Sequence, residues 1–262
     1  MYDRIALTAL LWLVGAGQAG AVAVQDIVDR ANRAAYYQAA DGKAKVHMQI
    51  VDSRGRERNR HFVILRKDVD DANDGEQKLY VYFHSPADVN KTVFMVWKYV
   101  DRDDDRWMYL PALDLVKRIA ASDERTSFMG SHFFYEDVSG RTPAEDSHQL
   151  LEETDDYFVL QSTPKEAEKV EFSRYKNWIH KSTFIPVKTE FYDSAGKVYR
   201  TYEALRVEVI EGFATVTQSK MSDTRIGGYT TLSYSNVDYN LDIPEAIFSE
   251  RYLRSAPRKY LR

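Results

Sequence analysis

From residue 43 onward the chain alternates short apolar runs with compact turn signals, and this pattern predicts β-strands. Candidate strands are Lys43–Asp52, Glu57–Lys67, Gln77–His84, Thr92–Val100, Arg106–Leu110 and Leu115–Ala120. A second set is Tyr157–Thr163, Val170–His180, Val187–Tyr192, Val198–Val209, Phe213–Ser222 and Tyr229–Tyr239. Between them stand Ser53-Arg54-Gly55, Asp193-Ser194-Ala195-Gly196, Glu211-Gly212 and Gly227-Gly228, residues that turn the backbone. Strands joined by links this short run antiparallel. No 10–15-residue helix separates them, so a βαβ arrangement is not expected. Ahead of the strands, Gln25–Tyr37 places Ile27, Ala31 and Ala34 on one helical face. Asp26 is its expected cap, Gly42 its expected end, and a second short helix is expected to start at Pro244.

Two strands break the alternation. Leu79-Tyr80-Val81-Tyr82-Phe83 and Val93-Phe94-Met95-Val96-Trp97 are apolar on both sides. A strand with one wet face alternates apolar and polar residues. Either one face packs on a helix while the other lines a cavity, or both belong to a thick core whose tyrosine hydroxyls reach water. By contrast, Phe213, Thr215, Thr217 and Ser219 share a Thr-rich face, read as an exposed polar surface.

The 262 residues carry 36 Lys and Arg against 40 Asp and Glu, a net charge of −4, and no cysteine. Nucleic acid is therefore not the expected partner, because no basic surplus exists to neutralise phosphates. Disulfides, thiolate metal sites and thiol catalysis are excluded. Residues 1–23 read as a secretory signal peptide: Arg4, then the apolar run Ile5–Ala16, then Ala21-Val22-Ala23 as the cleavage pattern. The run is shorter than the roughly 20 residues a spanning helix needs. The expected mature chain is one exported, periplasmic, monomeric domain over 24–262.

Candidate chemistry is sparse. His47, His61, His84, His132, His148 and His180 form no metal-binding spacing and are read as surface or strand residues. Asp101, Asp103, Asp104 and Asp105 resemble a calcium loop, but Arg106 and Ala112 stand where Gly and Glu are required, so a hairpin turn is expected. Glu152/Glu153 and Asp155/Asp156 are adjacent pairs, read as edging a turn. No nucleophile elbow or phosphate-binding loop is present. No cofactor and no catalytic activity are expected.

The informative stretch is Arg106–Asp137. Trp107-x-Tyr109-x-Pro111, Val116-Lys117-Arg118-Ile119, Ser127-Phe128-Met129-Gly130-Ser131 and Phe134-x-Glu136-Asp137 resemble the outer-membrane lipoprotein-sorting (LolA-like) family of periplasmic carriers. Pro186-Val-Lys-x-Glu190-x-Tyr192-Asp193-x-x-Gly196-Lys197, Met221-x-Asp223 and Phe248-Ser249-x-Arg251-x-Leu253 extend the resemblance over most of the mature chain. His132 departs from it, standing where an acidic residue is usual. The resemblance implies a mainly β (α+β) fold: one curved antiparallel half-barrel covered on its concave side by short helices. It also implies a cavity for lipid or lipoprotein acyl chains, and work beside an inner-membrane transporter of the RND/MMPL type.

A carrier fits the physics, since each CH₂ kept from water is worth about 0.8 kcal/mol. The expected cavity lining is Met95, Trp97, Trp107 and Tyr109 as a group, with Leu79, Val81, Phe83, Phe128 and Met129. Two other readings stay open. A cofactor-free enzyme on the same fold would bring ionisable groups together in a pocket. A transporter adaptor would fill its curved sheet with its own side chains.

Overall fold

Each predicted run pairs with its neighbour in the computed structural model, which describes residues 23–69 and 75–262. The signal-peptide segment falls almost wholly outside the described residues. The strands are β1 (Asp41–Asp52), β2 (Glu57–Asp68), β3 (Gln77–Ser85), β4 (Val93–Lys98), β5 (Asp105–Leu110) and β6 (Leu115–Ile119). After a long connection come β7 (Asp146–Glu153), β8 (Tyr157–Pro164), β9 (Arg174–His180), β10 (Pro186–Tyr192), β11 (Val198–Ile210), β12 (Phe213–Asp223) and β13 (Gly228–Tyr239). They form one open, curved, antiparallel sheet in the order β6-β5-β4-β3-β2-β1-β13-β12-β11-β10-β9-β8-β7. Among the described residues three short α-helices accompany it: α1 (Val24–Tyr36), α2 (Tyr135–Ser139) and α3 (Glu250–Arg254).

The order explains the path of the chain. Two meanders meet where β1 pairs with β13, from Gly42↔Tyr239 to Asp52↔Gly228. β6 and β7 therefore lie at opposite edges, and residues 120–145 must travel from one edge to the other. This crossing segment is bonded to strands along its way. The Arg60 guanidinium (β2) donates to the Met129 carbonyl at 3.1 Å. The Thr230 hydroxyl (β13) accepts from the His132 N–H at 3.0 Å. Arg200 (β11) donates to the His132 carbonyl at 3.1 Å and pairs with Asp137.

Strand parity divides the apolar residues into two cores. One face buries Val46, Met48, Ile50, Phe62, Leu79, Val81, Phe83, Phe94 and Val96 against Phe128 and Phe133 of the crossing segment. The opposite face buries Val63, Leu65, Tyr80, Val93, Met95 and Trp107 against Ile243, Ile247, Phe248, Leu253 and Leu261. The C-terminal segment thus covers the back of the sheet. The Trp97 indole donates to the Phe248 carbonyl and the Tyr80 hydroxyl to that of Tyr252, both at 2.7 Å. The doubly apolar strands are covered on both sides, as in the thick-core alternative, except that the Tyr80 hydroxyl ends on a carbonyl rather than in water; the back is closed mainly by chain after residue 240.

Several expectations need correction. β7 was absent from the predicted strands because Asp-Ser-His-Gln-Leu-Leu-Glu-Glu is polar; it is an edge strand, one side of which needs no apolar partner. Glu152 and Glu153 end it, at the edge of the turn that carries Asp155 and Asp156, as expected. Asp26 does not cap α1, which begins one residue before the predicted range with Ala23 at the cap. Gly42 lies in β1, since the helix already stops at Tyr36. The helix at Pro244 is a single 3-10 turn, Glu245–Ile247, with α3 following. Thr215, Thr217 and Ser219 are buried: β12 is an interior strand, and this face, which also carries Met221 of the front core, is turned away from solvent. His132 is buried outside any strand.

Phe248→Ala removes a fully buried ring from the back core. It is expected to lower the unfolding free energy by about 3–5 kcal/mol in chemical denaturation. A loss under about 1 kcal/mol would mean the C-terminal segment merely rests on the sheet.

Candidate functional site

The front face is not filled along its whole length. Over β1–β5 it is occupied by Phe128, Phe133 and Tyr135. Toward β8–β13 small or polar residues, Ser162, Thr189, Thr215 and Ser219, come between larger ones such as Leu160, Ile179, Phe191 and Tyr202. Helix α1 packs over β8 and β9 through Ile27, Val28 and Ala31 against Phe158, Leu160, Ile179 and Phe184. The turn of α1 toward the sheet carries Ala31, Ala34 and Ala35, which reach little distance into the space below. A hollow of about 360 Å³ results, within the roughly 300–1,000 Å³ usual for small-ligand sites. Its apolar wall includes Met48, Phe62, Ile64, Leu232 and Met221.

Of the nine residues expected to line such a cavity, Phe128 does so. Leu79, Val81 and Phe83 share its face and its core but lie deeper in the filled part, and Met129 packs against them. Met95, Trp97, Trp107 and Tyr109 are brought together as a group on the opposite face, under the C-terminal segment. The reason is register: Met95 pairs with Tyr80 and Trp107, and all three point to the back. The lining from Tyr36, Arg66, Tyr202, Tyr234 and the β12 hydroxyls was missed. Their one signal is the Thr-rich face of β12, which reads as solvent-exposed when taken alone.

One end of the hollow is bounded by charged groups of the crossing segment. Arg141 donates to both carboxylate oxygens of Asp146 at 2.9 Å and to Glu136 at 2.9 Å, while Arg125 reaches Glu136 at 2.8 Å. Glu136, Asp137 and Arg141 line the hollow, yet each is already engaged: Asp137 by Arg200, Glu136 by two arginines. Burial outweighs those arginines and pushes the Glu136 carboxyl up to about 7. Gly140 closes α2 with φ of 84° and lies against the Tyr36 ring, where a Cβ would stand 3.1 Å from ring carbons. His132 is held by both ring nitrogens. The Gly227 carbonyl can only accept, so Nε2 carries the proton (3.1 Å) and Nδ1 accepts from the Thr230 hydroxyl (2.8 Å). Among the described residues no group of three or more His, Asp or Glu side chains gathers as a metal site.

Comparison with known proteins places this arrangement. A DUF1329 family protein from Desulfovibrio piger is 31% identical, with a TM-score of 0.79 over 88% of this chain and 98% of that one. A proposed outer-membrane lipoprotein-sorting domain from Vibrio parahaemolyticus is 26% identical, with a TM-score of 0.78 over 87% and 97% of the two chains. A LolA superfamily protein from Nitrosomonas europaea shares the fold at 23% identity and a TM-score of 0.67, over 88% and 100%. A family model described only as uncharacterized protein-like matches residues 75–255. No curated protein matches the sequence significantly. The architecture is that of the LolA-like lipoprotein-sorting proteins. Within that class, the chain belongs to the DUF1329 family.

The raised Glu136 carboxyl has a consequence for stability. Between about pH 4.5 and 7 the folded state holds a proton there that the unfolded state has released, so stability falls as pH rises through this window. Thermal melts of the wild type and Glu136→Gln at pH 5 and pH 8 check this. The wild type is expected to lose more of its Tm on going to pH 8 than the variant; equal losses would contradict it.

Proposed function

We propose that the protein is a non-catalytic periplasmic carrier that shelters acyl chains of a lipid or lipoprotein in the hollow beneath α1. The observation that carries the reading is the hollow itself: Met48, Phe62, Ile64, Leu232 and Met221 pack into the front core on one side and give the space a greasy wall on the other. A well-packed interior leaves few spaces of this size. Apolar surface of this kind gains by taking up hydrocarbon, at about 25 cal/mol per Å² removed from water. α1 and the crossing segment act as the cover of the concave side. The similarity to the lipoprotein-sorting domain from Vibrio parahaemolyticus supports the same class of cargo, and the leader pattern of residues 1–23 supports the periplasm. Delivery to or from an inner-membrane RND/MMPL-type transporter completes the proposal.

An enzyme reading would rest on Glu136 and Arg141, the ionisable pair at the hollow's end. Both are committed to ion pairs that hold the crossing segment, which favours a structural clasp over a reacting pair.

Native mass spectrometry after mild purification, followed by lipid extraction, tests the carrier. A bound lipid of discrete mass is expected. Ala35→Trp, which fills the space from a half-buried position on α1, is expected to reduce lipid occupancy at least five-fold while the circular dichroism spectrum is retained. A wild type that neither copurifies with nor takes up any lipid would end the proposal.

A further inference from the structure

The apolar wall accounts for hydrocarbon, but one group in the hollow has no use for it. Arg66 lies on β2, two and four residues beyond Ile64 and Phe62, and with them it faces inward. Its Nη1 donates to the Tyr36 carbonyl at 2.6 Å. Its Nε is out of contact with solvent and has no acceptor. No carboxylate among the described residues forms an ion pair with it; Asp137, near Tyr36, is taken by Arg200.

The groups around the guanidinium are phenols. Tyr36, Tyr234 and Tyr239 all line the hollow and lie close enough to act on the charge. Burial raises the Tyr36 and Tyr234 hydroxyls above their usual pKa, so both remain neutral and cannot balance the cation. Arginine does not escape by losing its proton. The guanidinium is half-buried, and besides the Tyr36 carbonyl its charge meets only the Tyr36 ring, 5.8 Å away, and no carboxylate among the described residues. Architecture does not require it, because the Gln77 amide already donates to the same Tyr36 carbonyl at 2.6 Å and shows that a neutral side chain suffices there.

We propose that the hollow takes single-chain or multi-chain amphiphiles with an anionic head, the carboxylate or phosphate docking on Arg66 while hydrocarbon lies along Phe62, Ile64 and Leu232. The inference rests on the acyl-carrier reading and adds a head-group class to it. The guanidinium fork suits both anions, because each offers two oxygens in one plane to parallel N–H donors. Neutral tyrosine hydroxyls beside it supply further donors to the same head.

Displacement of a fluorescent acyl probe from the full-length mature protein separates the possibilities. Three competitors share a C16 chain: palmitate, 1-palmitoylglycerol 3-phosphate and neutral 1-palmitoylglycerol. At least one anion is expected to displace the probe at a ten-fold lower concentration than the neutral lipid, and the favoured anion identifies a carboxylate or a phosphate head. Arg66→Gln is expected to bring that ratio to about one, and Arg66→Lys to keep part of it. Equal competition by all three on the wild type overturns the head-group inference and leaves the carrier intact. A preference that survives in Arg66→Gln removes Arg66 from it. Should no C16 lipid bind at all, the carrier reading fails and this inference with it.

Discussion

The ladder between β1 and β13 is the constraint on which the rest depends. It joins the start of the strand region to its end, so the chain enters and leaves the sheet near the middle. Everything between must then run outward to one edge and come back from the other. The connection between β6 and β7 runs across a face of the sheet. That is why residues 120–145 carry so many anchors: three strands from different parts of the sheet bond to Met129 and His132 within a few residues.

With one face crossed and the other strapped by the C-terminal segment, the two sides of the same strands acquire different jobs. Tyr80, Met95 and Trp107 complete a dry core at the back. Leu79, Val81 and Phe94 complete another at the front, around Phe128. Further along the front, Ala of α1 and Ser and Thr of the strands come between larger residues such as Phe191, Tyr202 and Tyr234, and packing gives way to space. The hollow thus lies over one face of a single sheet rather than in a gap between domains.

Much of this was legible in the chain. The antiparallel meander, the amphipathic α1 and the family resemblance followed from alternation, turn residues and the motifs around Trp107 and Phe128. What was not legible was face. Met95, Trp97, Trp107 and Tyr109 were rightly grouped, since cross-strand register brings them together. Their grouping alone could not tell front from back, because the partner that covers them, Ile243 to Leu261, is far away in sequence. Arg66 escaped for a related reason: among the charges of Arg-Lys-Asp on β2 nothing local marks the one that points inward. Thr215 and Ser219 misled because a hydroxyl facing a cavity and a hydroxyl facing water leave the same trace in a sequence.

The two arginine anchors, Arg60 on β2 and Arg200 on β11, sit four strand spacings apart, an arc of about 19 Å along the sheet. The residues they grip, Met129 to His132, are reached by one arginine from each meander. This stretch therefore works as a staple across the β1–β13 seam: parting the two halves of the sheet breaks these bonds as well as the ladder.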